Sequence, residues 1–528
     1  MPRPKLFDFN DERDEIIAAV TERVVRNRIA AAERGGALLE YVLNEAAFRE
    51  IERLVKYGSD DASGEVGSLG FWRGVARRVG SASDAQKQST LRQIVGAYAA
   101  DIAGNFDPRV YGFANKVIPV GLNLLFQAQS RDGARVRGLR DRIEIEGDID
   151  TITALAEQGT LIVAPTHVSN LDSIVIGWAL AEVGLPPVTY GAGKNLFSNP
   201  GISYFMQNLG AYKVDRRIQH VLYKDCLKAY SEELIERGYH CLFFPGGTRS
   251  RSGMVEDRLK LGLLGTGVSA YQRSLAQGDP QPVYVVPLTL NFGLCLEAEG
   301  LIHDYLRAVG REYYLLPDDP FDSPLEVMRF LTKIARMETS MVLRFGQPMD
   351  VLGHRVDAAG RSFDARGREV QLPNFFETAP GEFGSDDSRD REYTRQTGEA
   401  LAAAFVRETV IMPTHFVSYV LFGAARRRFP ELDLSRVLRF ARDLHVPWAE
   451  INAEAGLLRD RLREQHDAGK IRLFRTLLDR SIPEIIDNGI EALGMYHPVA
   501  PAVATGQGVR LNHMNLLCYY ANRMRCIE

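Results

Sequence analysis

At 528 residues the chain exceeds one compact domain, so two or three structural units around one large core are expected. Hydrophobic residues at 45% and charged residues at 25% are ordinary for a globular protein and exclude general disorder. A formal net charge of -4 argues against a nucleic-acid binder and leaves local basic clusters to be read one by one.

The five cysteines (Cys226, Cys241, Cys295, Cys518, Cys526) are widely spaced, with no CxxC and no zinc-like Cys/His grouping, so neither a disulfide framework nor a metal site is expected. The opening MPRPKLFDFNDERDE has acids where a secretory segment needs apolar residues, and no run reaches the roughly 18 apolar residues of a spanning helix. A chain that lies on a membrane remains compatible with this pattern.

In chain order, Asp11 to Lys56 carries apolar residues at three- and four-residue intervals and predicts two amphipathic helices. Residues 57–90, rich in Gly, Ser and Asp around a Phe71-Trp72 island, predict a loop or loose connection. Helical periodicity resumes from Ser89 to Ile102. Residues 110–126, VYGFANKVIPVGLNLLF, fit either a buried helix pair or a helix at a membrane interface.

Between Arg142 and Phe292 strands alternate with helices. IEIEG (143–147), LIVA (161–164), PPVTYGA (186–192), YHCLFFP (239–245) and PVYVVPLTLNF (282–292) read as strands, with helical spacing at 173–183, 219–237 and 260–275. MVLRFGQPMDV (341–351) adds one more strand. The fold class expected is α/β, with a mostly parallel central sheet flanked by helices and functional loops at the strands' carboxyl ends. Pro287, within its strand, predicts an edge or end position. The expected organisation is a helical N-terminal region (1–95), a helical segment (96–140), the α/β core (141–351), a Gly-, Asp- and Arg-rich surface insertion (352–396) and a helical C-terminal region (397–528).

Chemistry concentrates in LIVAPTHVSNLDSIVIG (161–177), where a strand breaks at Pro165, His167 falls on a turn and Asp172 opens a helix. If Ser169 or Asn170 caps that helix, Asp172 accepts from one imidazole nitrogen and the other is free to take a proton from an alcohol. A second cluster, FFPGGTRSRSG (243–253), places Gly246-Gly247 after a strand, then Thr248, Arg249, Ser250 and Arg251. Glycine amides and alternate arginines suit phosphate oxygens, although solvated arginines on a turn fit as well, and the spacing excludes a Walker A loop. Lys260 serves the same anion or faces water, and Lys194 and Arg216-Arg217 follow two further strands.

The order of His167-x-x-x-x-Asp172, LGAYKVDRR (209–217), GGTRSRSG (246–253) and VYVVPLTLNF (283–292) resembles the glycerolipid acyltransferases, most closely the large bacterial membrane-associated glycerol-3-phosphate 1-O-acyltransferases. Flanking stretches, including MPTHFVSYVLF near 412 and LLCYYANRM at 516–524, extend the resemblance from about residue 96 onward. It implies that His167 is the general base, oriented by Asp172, for attack of the sn-1 hydroxyl of glycerol 3-phosphate on an acyl thioester. Arg249 and Arg251, with the amides around Gly247 and Thr248, would hold the acceptor phosphate; Arg216 and Lys194 would add charge, and Pro287 would shape the pocket. The co-substrate implied is acyl-CoA or acyl-carrier protein, with no bound cofactor, at the cytoplasmic face of an anionic membrane in a peripheral or monotopic state. One departure stands out: the family usually has Glu where this chain has Gly246, which admits another acceptor, a lysophospholipid or dihydroxyacetone phosphate, or an inactive lipid-binding relative.

Overall fold

The computed structural model describes residues 3–58, 66–116, 143–197, 200–309 and 341–527. Of the segment read as buried or interfacial, 110–126, residues 117–126 lie outside the described residues, and 110–116 are helical.

A seven-stranded sheet organises the molecule. Its strands are β1 (Ile143–Gly147), β2 (Thr160–Pro165), β3 (Thr189–Gly193), β4 (Ala211–Val214), β5 (Cys241–Leu242), β6 (Val283–Phe292) and β7 (Met341–Phe345), in the order β1-β7-β6-β2-β5-β3-β4. Every pairing is parallel except β6 with β7. The helices Asp172–Glu182, Val221–Glu236 and Leu261–Ala276 fall where the sequence periodicity places them.

Both faces of the sheet are covered, which is why its central strands are apolar throughout rather than alternating with polar residues. All ten residues of β6 are buried. Along β2, Leu161 and Val163 face one core with Ile176, Ala179 and Ile302, whereas Ile162 and Ala164 face the other with Leu264, Val268 and Phe405. The two-residue period of a strand thus feeds two separate cores.

Pro287 occupies the interior of the sheet, opposite Ala164 on β2, and not an edge. It is tolerated because β7 ends beside it: regular pairing stops at Leu288 with Phe345 and resumes only at an isolated bridge between Val285 and Met349. The missing N–H falls in that gap, while the Pro287 carbonyl still accepts from Gly346 N–H at 2.8 Å.

Residues 57–90 hold more structure than their composition suggests. Ser68 accepts from Phe71 N–H at 3.2 Å and caps the helix Leu69–Arg78, which buries Trp72 completely. A capping box at Ser83 and Gln86 then starts the helix Asp84–Ile102 ahead of its apolar run. Glycine and serine here mark helix ends. These helices join Phe9–Glu33 and Leu39–Tyr57 in a third core, closed by Val221–Glu236.

The C-terminal region is helical but also contains a three-stranded sheet of His445–Pro447, Gly508–Leu511 and Ala502–Thr505. The last two form a hairpin across TGQG, a turn of short strands that helical periodicity overlooks. Among the described residues no helix is long and apolar enough to cross a membrane.

Candidate active site

Strands β2, β3, β4 and β5 run in one direction, so His167, Lys194, Arg216 and the glycine–arginine turn emerge at the same sheet edge. β6 continues four residues beyond the end of β2 in the same direction and carries the chain on to Glu297.

His167 follows β2 on a turn pinned to β6, with Thr166 N–H donating to Leu288 O at 2.9 Å and Leu290 N–H donating to Thr166 Oγ1 at 3.0 Å. Asp172 is fully buried at the first position of its helix. Its Oδ2 accepts from Val168 N–H at 2.7 Å and Ser169 N–H at 3.0 Å, and it stands 2.8 Å from His167 Nδ1. A carboxylate only accepts, so Nδ1 carries the proton and Nε2 presents its lone pair. The ring is fixed further by stacking on Phe244, with centroids 4.1 Å apart.

Neither Ser169 nor Asn170 caps the helix; both are turned toward Glu297 instead. Ser169 Oγ donates to Glu297 Oε2 at 2.8 Å and Asn170 N–H to Oε1 at 2.9 Å. The same Oε1 receives Arg249 Nη1 at 3.1 Å, so one buried carboxylate joins the histidine loop to the glycine–arginine turn. Burial pushes the Glu297 carboxyl above its ordinary value, opposed by Asn170, Arg249 and Ser169. A second tie is direct, from Ser250 N–H to His167 O at 2.8 Å.

The turn itself is tightly wound. Gly247 has φ +74° and donates its N–H to Phe244 O at 2.9 Å, while Lys260 N–H returns to Pro245 O at 2.7 Å. The Lys260 side chain lies across Gly247, with Nζ 2.7 Å from where a β-carbon would stand. Thr248 and Ser250 are partly exposed and Arg251 is exposed. Partial desolvation, and then the charge of Arg249, hold the Arg216 guanidinium below its ordinary value although the side chain reaches solvent, which places two cations in one field. Lys194 is committed differently, 3.7 Å from Asp101 and 3.8 Å from Asp215.

The floor of the site comes from the far end of the chain. Arg523 is buried and donates to Leu290 O at 2.9 Å and to Asn291 Oδ1 at 3.4 Å. Its guanidinium is drawn down by burial and sustained in part by Glu256 and Asp172. Asn522 Nδ2 donates to Ser252 O at 2.8 Å, and a β-carbon on Gly253 would stand 2.1 Å from Tyr519 O. On the other side of Asn170, an apolar cavity of about 320 Å³ is lined by Ser173, Gly177, Trp178, Tyr190 and Leu209 among others.

Among the described residues one group suits a metal by composition, Glu299, His303 and His513. His513 Nδ1 accepts from Leu516 N–H at 3.3 Å, however, so the ring proton sits on Nε2 and points at Glu299 Oε1, 3.4 Å away. The geometry is that of a hydrogen-bonded pair and not of a prepared ligand set.

Residues 143–291 match the family model described as Acyltransferase. A solved structure similar to the chain is the crystal structure of the 1-acyl-sn-glycerophosphate (LPA) acyltransferase, PlsC, from Thermotoga maritima, at 14% identity over 68% of this chain and 93% of that one, with a TM-score of 0.26. Glu297 and Arg523 lie beyond the matched segment, and none of Glu256, Glu297, Phe244 and Arg523 is singled out as a site residue by the sequence. A signal existed for two of them. LCLEAEG (294–300) and LLCYYANRM (516–524) each embed a charge in an apolar run, the pattern of a buried, paired ion.

Proposed function

We propose that the protein transfers a fatty acyl group from acyl-CoA or acyl-carrier protein to the sn-1 hydroxyl of glycerol 3-phosphate. His167 Nε2 takes the hydroxyl proton as that oxygen bonds to the thioester carbonyl carbon. The C–S bond then breaks, and the imidazolium returns the proton to the leaving thiolate. Asp172 holds the tautomer and stabilises the imidazolium. Arg249 and Arg251 hold the acceptor phosphate with the Thr248 N–H, the Gly247 and Ser250 amides being taken by Phe244 O and His167 O, while Arg216 and Lys260 add charge and no bound cofactor enters the reaction.

The observation that carries this reading is the Ser250 to His167 hydrogen bond of 2.8 Å, which ties an oriented base to a glycine–arginine turn. The apolar cavity next to Asn170 suits the acyl chain of the donor. Its exposed lining residues Ile174 and Phe205, with Phe113 stacked on Phe205 and Tyr204 beside it, form an apolar rim suited to a peripheral position on an anionic membrane surface.

The test is release of CoA thiol from palmitoyl-CoA in the presence of glycerol 3-phosphate, with lysophosphatidate and dihydroxyacetone phosphate in parallel. His167→Ala should lower the rate by about 10²- to 10⁴-fold while leaving the fold intact. An unchanged rate removes His167 from the mechanism, and turnover only with lysophosphatidate reassigns the acceptor. Co-sedimentation with phosphatidylglycerol vesicles that weakens as salt rises tests the membrane position.

A further inference from the structure

Gly246 has no side chain, and the space it leaves is filled. An ideal β-carbon at 246 would stand 2.6 Å from Glu256 Cδ, 2.7 Å from Oε1 and 2.8 Å from Oε2, distances at which something must move. The carboxyl of Glu256 therefore occupies the volume in which a side chain at 246 would begin. From there Oε1 accepts the main-chain N–H of His167 at 3.0 Å.

This contact supplements the other restraints on His167. The ring is held by Asp172 and Phe244, and the carbonyl by Ser250, as described above. The remaining main-chain polar group, the N–H, is held by Glu256. Glu256 Oε2 is closed to solvent and has no hydrogen-bond partner among the described residues. An acid enclosed in this way costs free energy that only a specific partner offsets. Burial pushes the carboxyl up to about 8, against the His167 amide and Arg523, so it is largely protonated at neutral pH.

We infer that Glu256 is a positioning residue for the catalytic histidine, and that residue 246 is glycine because the Glu256 carboxyl takes its place. The acid whose absence at 246 sets this chain apart from its resemblance is thus supplied ten residues later in the chain, folded back onto the same spot. The inference rests on His167 being the base.

Gly246 does not have a positive φ, so alanine there is conformationally permitted and acts only by displacing Glu256. Four variants are assayed for thiol release from palmitoyl-CoA with glycerol 3-phosphate, each checked by circular dichroism and thermal melting. Glu256→Ala should lower kcat about 10- to 100-fold, the worth of a hydrogen bond from a charged or enclosed group, with KM for the acceptor unchanged. Gly246→Ala should produce the same loss. Glu256→Gln, which keeps an acceptor oxygen, should restore most of the rate, and Gly246→Glu combined with Glu256→Gly should recover at least tenfold over Glu256→Ala by returning a carboxyl from the other position. A wild-type kcat in folded Glu256→Ala overturns the inference, as does a folded double variant no faster than Glu256→Ala. His167→Ala in the same assay separates the two claims: if it is inactive while Glu256→Ala keeps the wild-type kcat, only the role of Glu256 fails, and if His167→Ala stays active the proposed function itself fails.

Discussion

The two helical regions that flank the α/β core do different work. The N-terminal helices pack on the back of Val221–Glu236 through partly buried ion pairs, Arg23 Nη2 to Glu233 Oε2 at 2.5 Å and to Glu236 Oε2 at 2.7 Å, and Arg28 Nε to Asp225 Oδ2 at 2.6 Å. Their approach to the strand ends is Asp101, beside Lys194 and Lys213. The C-terminal region instead brings Arg523 onto β6, where it donates to Leu290 O and Asn291 Oδ1 and its charge acts on Glu256 and Asp172. One region braces the domain and the other completes its site, so damage to each should be read by different measurements.

The largest effect is expected from Arg523→Met. It leaves the buried Leu290 O and Asn291 Oδ1 without this donor and removes the positive charge that acts on Asp172, and should cost about 3–5 kcal/mol in denaturant unfolding, together with loss of activity in the protein that remains folded. Arg23→Met, on the bracing side, should cost about 2–3 kcal/mol, since its partners keep some solvent access, with kcat unchanged. Equal losses of kcat in the two variants would erase the distinction.

A smaller effect carries a sign. The Glu256 carboxyl has an ordinary value of 4.5 and is raised to about 8 in the folded protein. Between those values the unfolded chain loses this proton and the folded chain keeps it, so the contribution is fully present below 4.5 and is lost as pH rises through about 8. Glu256→Gln should remove that decline, seen as a melting-temperature gap between wild type and variant that is larger at low pH than at high pH. The smallest effect is expected from Arg92→Ala, whose pair with Glu22 is exposed on both sides, with no measurable change in melting temperature or rate.

The parts of the site that are local in sequence were legible: a strand, a turn with His167 and Asp172 five positions on, and two glycines before alternate arginines. Periodicity alone also gave the alternating strands and helices of the core. What escaped is nonlocal. Glu297 and Glu256 gain their meaning from loops after other strands, and Arg523 from β6. Lys194 belonged to the right sheet edge, yet its acidic neighbours Asp101 and Asp215 come from two separate elements and could not be foreseen from spacing. Ser169 and Asn170 each stand where a helix cap would fit by spacing, whereas the buried Glu297 takes the Ser169 hydroxyl and the Asn170 amide. Pro287 was assigned to an edge by a rule about missing donors; the rule holds, and the gap beside it is internal.

The path of Arg523 also orders events in time. During synthesis the strands that bear His167 and the glycine–arginine turn emerge long before the helix Met514–Asn522, and loop closure across that separation is slow relative to local folding. A nascent chain therefore carries His167 and the glycine–arginine turn without the Arg523 guanidinium that packs on β6. Under the function proposed above, activity should begin only once synthesis has passed that helix and added Arg523, so a product terminated before it would be silent rather than half-active.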